Sequence, residues 1–530
     1  MLRRCYPFLF IIIPAAVLAQ AQPDWEGNYP DGCTSITVGR KAMADGSVVT
    51  SHTCDSHRTR SWLDIQPSRD FQPGSKATLV KRIPCDTLAM PAYTYVPTGE
   101  IPQVAHINAF INTAYPCMNE YQLAIGESTF GGRKNLHSEK GLIDCQQLVR
   151  LMLERCKTAR EAIHMAGELT AKYGWNDEGE CLTVADKREV WHFEILGSGK
   201  GNIGSVWAAQ RVPDEHIAVN ANASRIRQID TDNPDYFMAS DNVYTLAADS
   251  GWWNGGDKAT FEFCYVYAPE GRTSFASRRR EWRVLSMAAP SLNLDANAEN
   301  FPFSVKPDTL ITLPLLVKMF QDYFEGTPYN PVKDLTWVNN QGQTEISPLA
   351  NPFMPYDMNK LFRINGGWGW RGERTIARWY TMYATITQSR EQLPDPIGGV
   401  VWLAFDNVAT SVYIPLYCCI TDVASPYKTP GRDKGYTRKS GWWAFNRLGT
   451  LAAHRWGDIR KDVTAVWTPI QNELFKNQEP IEKHALELYH RDPEKVKTLL
   501  TGYSIKWGNL VVDRAWQLGD DIWTRYDEKF

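Results

Sequence analysis

Several signatures that would settle the chemistry at once are missing. The chain has no C-x-x-C pair, no H-E-x-x-H, no Walker phosphate loop and no G-x-G-x-x-G after a strand, which removes the usual zinc and nucleotide readings. Its 10 histidines are scattered without ligand spacing, so neither a metal nor a cofactor is expected. An excess of one charge is lacking too: 57 Lys and Arg against 60 Asp and Glu leave a net −3, with no long run of either sign. A nucleic-acid partner needs a concentrated basic footprint and is excluded on that ground. Repeats and low-complexity tracts are absent, and no apolar run reaches the roughly 20 residues of a membrane span.

What remains is globular: 530 residues, 43% hydrophobic and 22% charged. Residues 1–21 read as a signal peptide, with Arg3 and Arg4 ahead of an apolar stretch from Phe8 to Leu18 and small residues at Ala19 and Ala21. Residues 22–32, polar and rich in Pro and Gly, read as a propeptide. The expectation is a secreted or periplasmic protein with no membrane anchor once the leader is gone. The 11 cysteines are irregularly spaced, with Cys418 and Cys419 adjacent, and no pairing can be read from them.

The segments "TSITVG" and "SVVTSHT" flank a turn ending at Asp45 and Gly46, which predicts a β-hairpin starting almost at Cys33. Apolar residues at helical spacing predict a helix over 144–173, stopped by Gly174. Two strands follow around a polar turn at 186–189. "HIAVNA", "ATFEFCYVY", "GGVVWLAF" and "SVYIPLY" are further strand candidates. Helical patterns return at 374–391, 480–501 and from 509 onward. Strands bracketed by helices imply a layered α+β protein.

Three candidate chemistries compete. "GESTF" at 126–130 resembles half a nucleophile elbow, but Phe130 stands where the second glycine belongs, so Ser128 reads as an ordinary serine. Tryptophans at 251–253, 366–370 and 441–443 could stack on sugars in a glycan-binding protein, or simply fill a large core. Cys33, preceded by Gly32, is the sharper candidate. A thiol nucleophile needs a base, and an N-terminal residue carries its own α-amine, with a pKa of about 7.7–8.0 in model peptides. Cleavage between Gly32 and Cys33 would release that amine beside the thiol.

The residues after Cys33 sharpen this. "CTSITVGRKAMADGSVV", running into "CDSH" at 54–57, resembles the start of the C69 dipeptidases, N-terminal-nucleophile hydrolases related to penicillin V acylase, bile salt hydrolase and secernin. "CMNEYQLAIGEST" (117–129), "VWAAQRVPDEHIAVNANASRI" (206–226), "SRRREWRVLSMAAPSLNL" (277–294), "LPDPIGGVVW" (393–402), "TSVYIPLY" (410–417) and "AWQLGDDIW" (515–523) are also similar to that family. The resemblance implies a four-layer αββα sandwich of two antiparallel sheets over 33–530, with C-terminal helical additions. It implies hydrolysis of amide bonds in small peptides through a thioester, without a cofactor. Cys33 matches the nucleophile. Asp55 matches the aspartate that orients thiol and amine, and Asn222 an oxyanion-hole donor worth about 2.7–4 kcal/mol of barrier. Arg280, chosen by spacing from Arg278, Arg279 and Arg280, matches a basic residue near the nucleophile. His52, where the acylase relatives carry Arg, and Thr129 fall on the substrate-binding side. Asn222 also begins an N-x-S sequon, whose glycan would contradict a catalytic role. A non-peptide amidase or acylase is the alternative within the same fold, and a homo-oligomer is not excluded.

Overall fold

The computed structural model describes residues 31–85, 92–353 and 374–529. Residues 1–21, expected as a leader, most of the expected propeptide at 22–32, and the 366–370 tryptophans lie outside them. The strands that build the body are, in chain order, β1 (Gly32–Val38), β2 (Ser51–Asp55), β3 (Asp64–Gln66), β4 (Phe110–Asn112), β5 (Met118–Asn119) and β6 (Ala124–Gly131). Then come β7 (Gly179–Ala185), β8 (Val190–Gly197), β9 (Ser205–Val212), β10 (Ile217–Asn220) and β11 (Phe237–Ala239). The last are β12 (Ser304–Val305), β13 (Thr381–Gln388), β14 (Val400–Phe405) and β15 (Ile414–Tyr417).

They form two sheets with antiparallel neighbours throughout. One is 7-stranded, in the order β12-β10-β1-β2-β13-β14-β15; the other is 8-stranded, in the order β11-β9-β8-β7-β6-β5-β4-β3. The sheets lie face to face, β1 and β2 against β6. Gly126 makes the approach close enough that a Cβ there would lie 2.2 Å from the Ser51 carbonyl oxygen. Helices α1 (Cys145–Arg155) and α2 (Ala159–Tyr173) belong to the outer side of the 8-stranded sheet, with α2 packed on β7, β8 and β9. On the outer side of the other sheet, α3 (Phe275–Ala288) covers β10 and β12. Beside it, α4 (Gly441–His454) covers β14, α6 (Pro493–Tyr526) covers β15, and α5 (Trp456–Tyr489) packs on both of these helices. This is the αββα sandwich.

The hairpin of β1 and β2 and the strand pair around 186–189 form as expected; Asp186 Oδ1 accepts from the Arg188 and Glu189 amides in that turn. Four expectations are corrected. The helix over 144–173 is two helices, because Thr158 accepts from the Glu161 amide and starts α2 afresh, while the Glu161 carboxylate accepts from the Lys157 amide just ahead of it. The pattern at 374–391 contains the strand β13. Its eight residues are all buried, since β2 and β14 flank it and both faces are covered, so no alternation marks it. "ATFEFCYVY" is not a strand: it holds a short helix, Phe263–Tyr267, whose Phe263, Val266 and Tyr267 are buried at helical spacing. Near the C-terminus the helix break falls at 490–492, ahead of Pro493. Pro480, expected to open a helix, lies inside α5.

Candidate active site

Cys33 is the second residue of β1, opposite Cys54 of β2, and only 5% exposed. Its backbone N–H donates to Asn222 Oδ1 at 3.1 Å, and its carbonyl accepts from Arg280 Nη1 at 2.6 Å. Its thiol donates to Glu127 Oε2 at 3.2 Å. The residues ahead of it are held as well. Gly32 pairs with Asp55, and Asp31 accepts from Ser56 Oγ (2.7 Å) and the His57 amide (3.1 Å). A Cβ on Gly32 would sit 2.8 Å from Asn222 Oδ1 and 3.0 Å from both terminal nitrogens of Arg374. Only glycine fits there without moving those groups.

Asn222 is the hub. It follows β10 in the left-handed region, φ 58°, a conformation asparagine tolerates better than most residues. Its Oδ1 receives Arg280 Nη2 (2.9 Å) and Arg374 Nη1 (3.1 Å) as well as the Cys33 amide. Its Nδ2 donates to the Thr129 carbonyl at 2.6 Å. Three donors on one atom and an acceptor on the other fix which is oxygen. One Nδ2 proton is thereby spent, so only the other is left for the oxyanion role expected of this residue. With both ends of the amide engaged, the sequon offers no free side chain for a glycan.

Arg280 is the arginine of the expected trio that reaches the nucleophile. Arg278 and Arg279 instead cap carbonyls between Ala296 and Ala298. Helix α3 is held in register by Glu281, buried between Arg225 (2.7 Å) and Arg272 (3.2 Å). Burial and then Arg374 push the Arg280 guanidinium well below its ordinary pKa. Asp55 accepts from Arg374 Nη2 (2.6 Å) and Thr381 Oγ1 (2.6 Å). It bears on Cys33 through its charge and through Arg374, not by holding the thiol itself.

His52 and Thr129 serve Glu127. The His52 ring is 2% exposed, stands edge-on to Tyr115 and Tyr383, and places Nε2 3.2 Å from Glu127 Oε2. Thr129 Oγ1 lies 2.9 Å from Glu127 Oε1 and 2.8 Å from Glu180 Oε1. A hydroxyl has one proton to give, so a protonated Glu180 completes this chain. Burial and Glu127's charge push Glu180 well up. Burial would raise Glu127 too, but His52, Glu180 and the thiol hold it low. Burial, then Glu127, raise the Cys33 thiol well above its ordinary value, so it keeps its proton at rest. Donor atoms of Cys33, His52 and Glu127, and of Glu127, Cys145 and Glu180, lie within 4.8 Å of one another. Either trio is close enough to share a cation, but thiol and carboxylate already satisfy each other.

Glu127, Glu180, Thr381 and Arg374 were not singled out from the sequence. Glu127 had a visible signal: a charged residue in the middle of a strand whose neighbours are apolar or small. Arg374 had none, for it opens the 374–391 segment, whose pattern reads as helical. Of the described tryptophans singled out from the sequence, Trp442 is buried and Trp252, Trp253 and Trp443 are half-buried; elsewhere Trp175, Trp191 and Trp402 lie in the core, at most 1% exposed. All ten described cysteines are free, and no helix among the described residues is long and apolar enough to cross a membrane.

Comparison with known proteins covers almost the whole described body. Residues 32–468 match the family described as Peptidase family C69. The chain is 26% identical over 503 residues to "Probable dipeptidase B" of Lactococcus lactis subsp. lactis (strain IL1403), covering 92% of this chain and 96% of that protein. It is 23% identical to "Probable dipeptidase" of Latilactobacillus sakei, over 81% and 82% of the two chains. "Dipeptidase A" of Lactobacillus helveticus is 22% identical over 75% of this chain and 77% of its own.

Proposed function

The chain belongs to peptidase family C69, and from that premise we propose a cysteine-type dipeptidase in which Cys33, once exposed as the N-terminus, is the nucleophile. One observation carries this: Cys33 N shares Asn222 Oδ1 with two guanidinium groups. Freed from Gly32, that nitrogen becomes an amine facing positive charge, which favours its neutral, basic form below the usual range of about 7.7–8.0. The amine takes the thiol proton as Sγ attacks the carbonyl of the dipeptide. It then returns the proton to the leaving amine, and a thioester remains. Water, deprotonated by the same amine, releases the first amino acid and restores the thiol.

The leader at 1–21 supports export to a secreted or periplasmic location, and the tight seat of Gly32 supports cleavage at residues 32 and 33. The decisive assay compares wild type and Cys33→Ala on unmodified dipeptides and on N-acylated amino acids. Expected are dipeptide turnover, inactivation by iodoacetamide, indifference to chelators, and a loss of at least about 10⁴-fold in the variant. Preferential turnover of acylated amino acids would shift the reading to an acylase. Full turnover by Cys33→Ala would refute it.

A further inference from the structure

In the intact chain the nitrogen of Cys33 is an amide, so the base that serves turnover does not yet exist when the Gly32–Cys33 bond must be cut. The thiol nevertheless has a partner: it donates to Glu127 Oε2 at 3.2 Å inside the seam between the sheets. We propose that Glu127 is the catalytic base of self-cleavage, taking the Cys33 thiol proton in the unprocessed chain and handing the role to the α-amine once that amine is released. This rests on the reading that the protein cuts itself.

The surroundings suit a carboxylate that must stay ionised and in place. Glu127 is 0% exposed. His52 Nε2 flanks the oxygen that meets the thiol, and Thr129 bonds the other. Glu180, next along that chain, holds the proton of the pair, leaving Glu127 charged and free to accept. On the far side, Gly32 has no side chain to shield its carbonyl. Arg280 and Asn222 grip Cys33 at its carbonyl and amide, so the peptide cannot swing away from the thiol.

The step balances. Sγ bonds to the Gly32 carbonyl carbon while its proton passes to Glu127. The Gly32–Cys33 C–N bond then breaks, and Glu127 returns the proton to the departing nitrogen, which becomes the α-amine. A thioester joins Gly32 to Sγ. Water attacks it with the new amine as base, leaving a Gly32 carboxylate on the propeptide and a free thiol on Cys33.

The test follows intact mass against time for full-length wild type, Cys33→Ala, Glu127→Gln and Glu127→Asp, with melting as the control for folding and turnover expressed per processed chain. General-base catalysis contributes about 10²–10⁴-fold. Glu127→Gln is therefore expected to process at least 100-fold more slowly than wild type. Glu127→Asp is expected to fall between. Processing of Glu127→Gln within threefold of wild type, with Cys33→Ala uncut, overturns the role of Glu127 alone. Cutting of Cys33→Ala overturns self-cleavage and this role with it. If Glu127→Gln does not fold, the folded Glu127→Asp decides: a tenfold or greater delay supports the role, and an unchanged rate refutes it.

Discussion

The seam between β1 and β6 and the layer of α4, α5 and α6 over β14 and β15 are buried to the same degree and built from opposite materials. The seam holds Glu127, His52, Glu180 and the Cys33 thiol, with Ser35 Oγ donating to the Glu127 carbonyl (2.8 Å) and Thr37 Oγ1 paired with His192 Nε2 (2.9 Å). The helical layer is mainly apolar: Trp402, Leu416, Leu448, Ile459, Val463, Trp467 and Val511 are each at most 4% exposed. Its principal buried charge pair, Arg390 and Glu482, is bidentate at 2.7 and 2.8 Å. Burying polar groups costs free energy unless every one finds a partner. In the seam the partners are arranged around one thiol, and in the layer they tie α5 to the sheet. The difference separates what the protein needs for chemistry from what it needs to stay folded.

That separation can be broken by substitution. The largest effect is expected in the helical layer. Trp402→Ala removes a ring that stacks edge-on against Phe475 and donates to Gln388 (2.7 Å). It should cost about 3–5 kcal/mol in denaturant unfolding, with kcat of the folded enzyme changed less than about twofold, since Phe475 and Gln388, which the ring meets, are not residues of the site. A large fall in kcat would show that the layer does more than hold the sheet.

Asn222→Asp is the seam's counterpart. A carboxylate in place of the amide favours the charged amine, moving the ascending limb of the kcat/KM profile to higher pH by about one unit and lowering turnover at pH 7 about tenfold. An unchanged limb would mean that this amine is not the base.

The smallest effect concerns Asp406, which follows β14 at φ 59° beneath α4 and accepts from Asn446 Nδ2 at 2.9 Å. Burial raises its pKa to about 7. A carboxyl raised on folding contributes stability that is full below its unfolded pKa of about 3.9 and is lost as pH climbs through the folded value. Asp406→Asn has no such loss and keeps a residue that accepts positive φ. Its melting temperature should pull ahead of wild type between pH 4 and pH 7, by on the order of 2–4 °C at pH 8. A difference that does not vary with pH would contradict the assignment.

The two regions were also unequally legible in the sequence. The hairpin at Cys33 was readable because its turn residues and alternation are local, and the linear motifs carried Asp55, Asn222 and Arg280 to one place. Glu127 showed only as a charge within an apolar strand and Arg374 not at all, since their importance comes from sheet-on-sheet packing and from a chain crossing that no local period records. In the layer, α4 and the first part of α5 went unread. Arg390 and its surroundings were taken for a helical pattern because β13, covered on both faces, shows no alternation.

The central claim is that Cys33 becomes an N-terminus, and the N-terminal sequence and intact mass of purified wild type beside Cys33→Ala test it most directly. The account predicts wild type beginning at Cys33 and a variant that retains Gly32. An active wild-type protein whose chain begins upstream of Gly32 would contradict it.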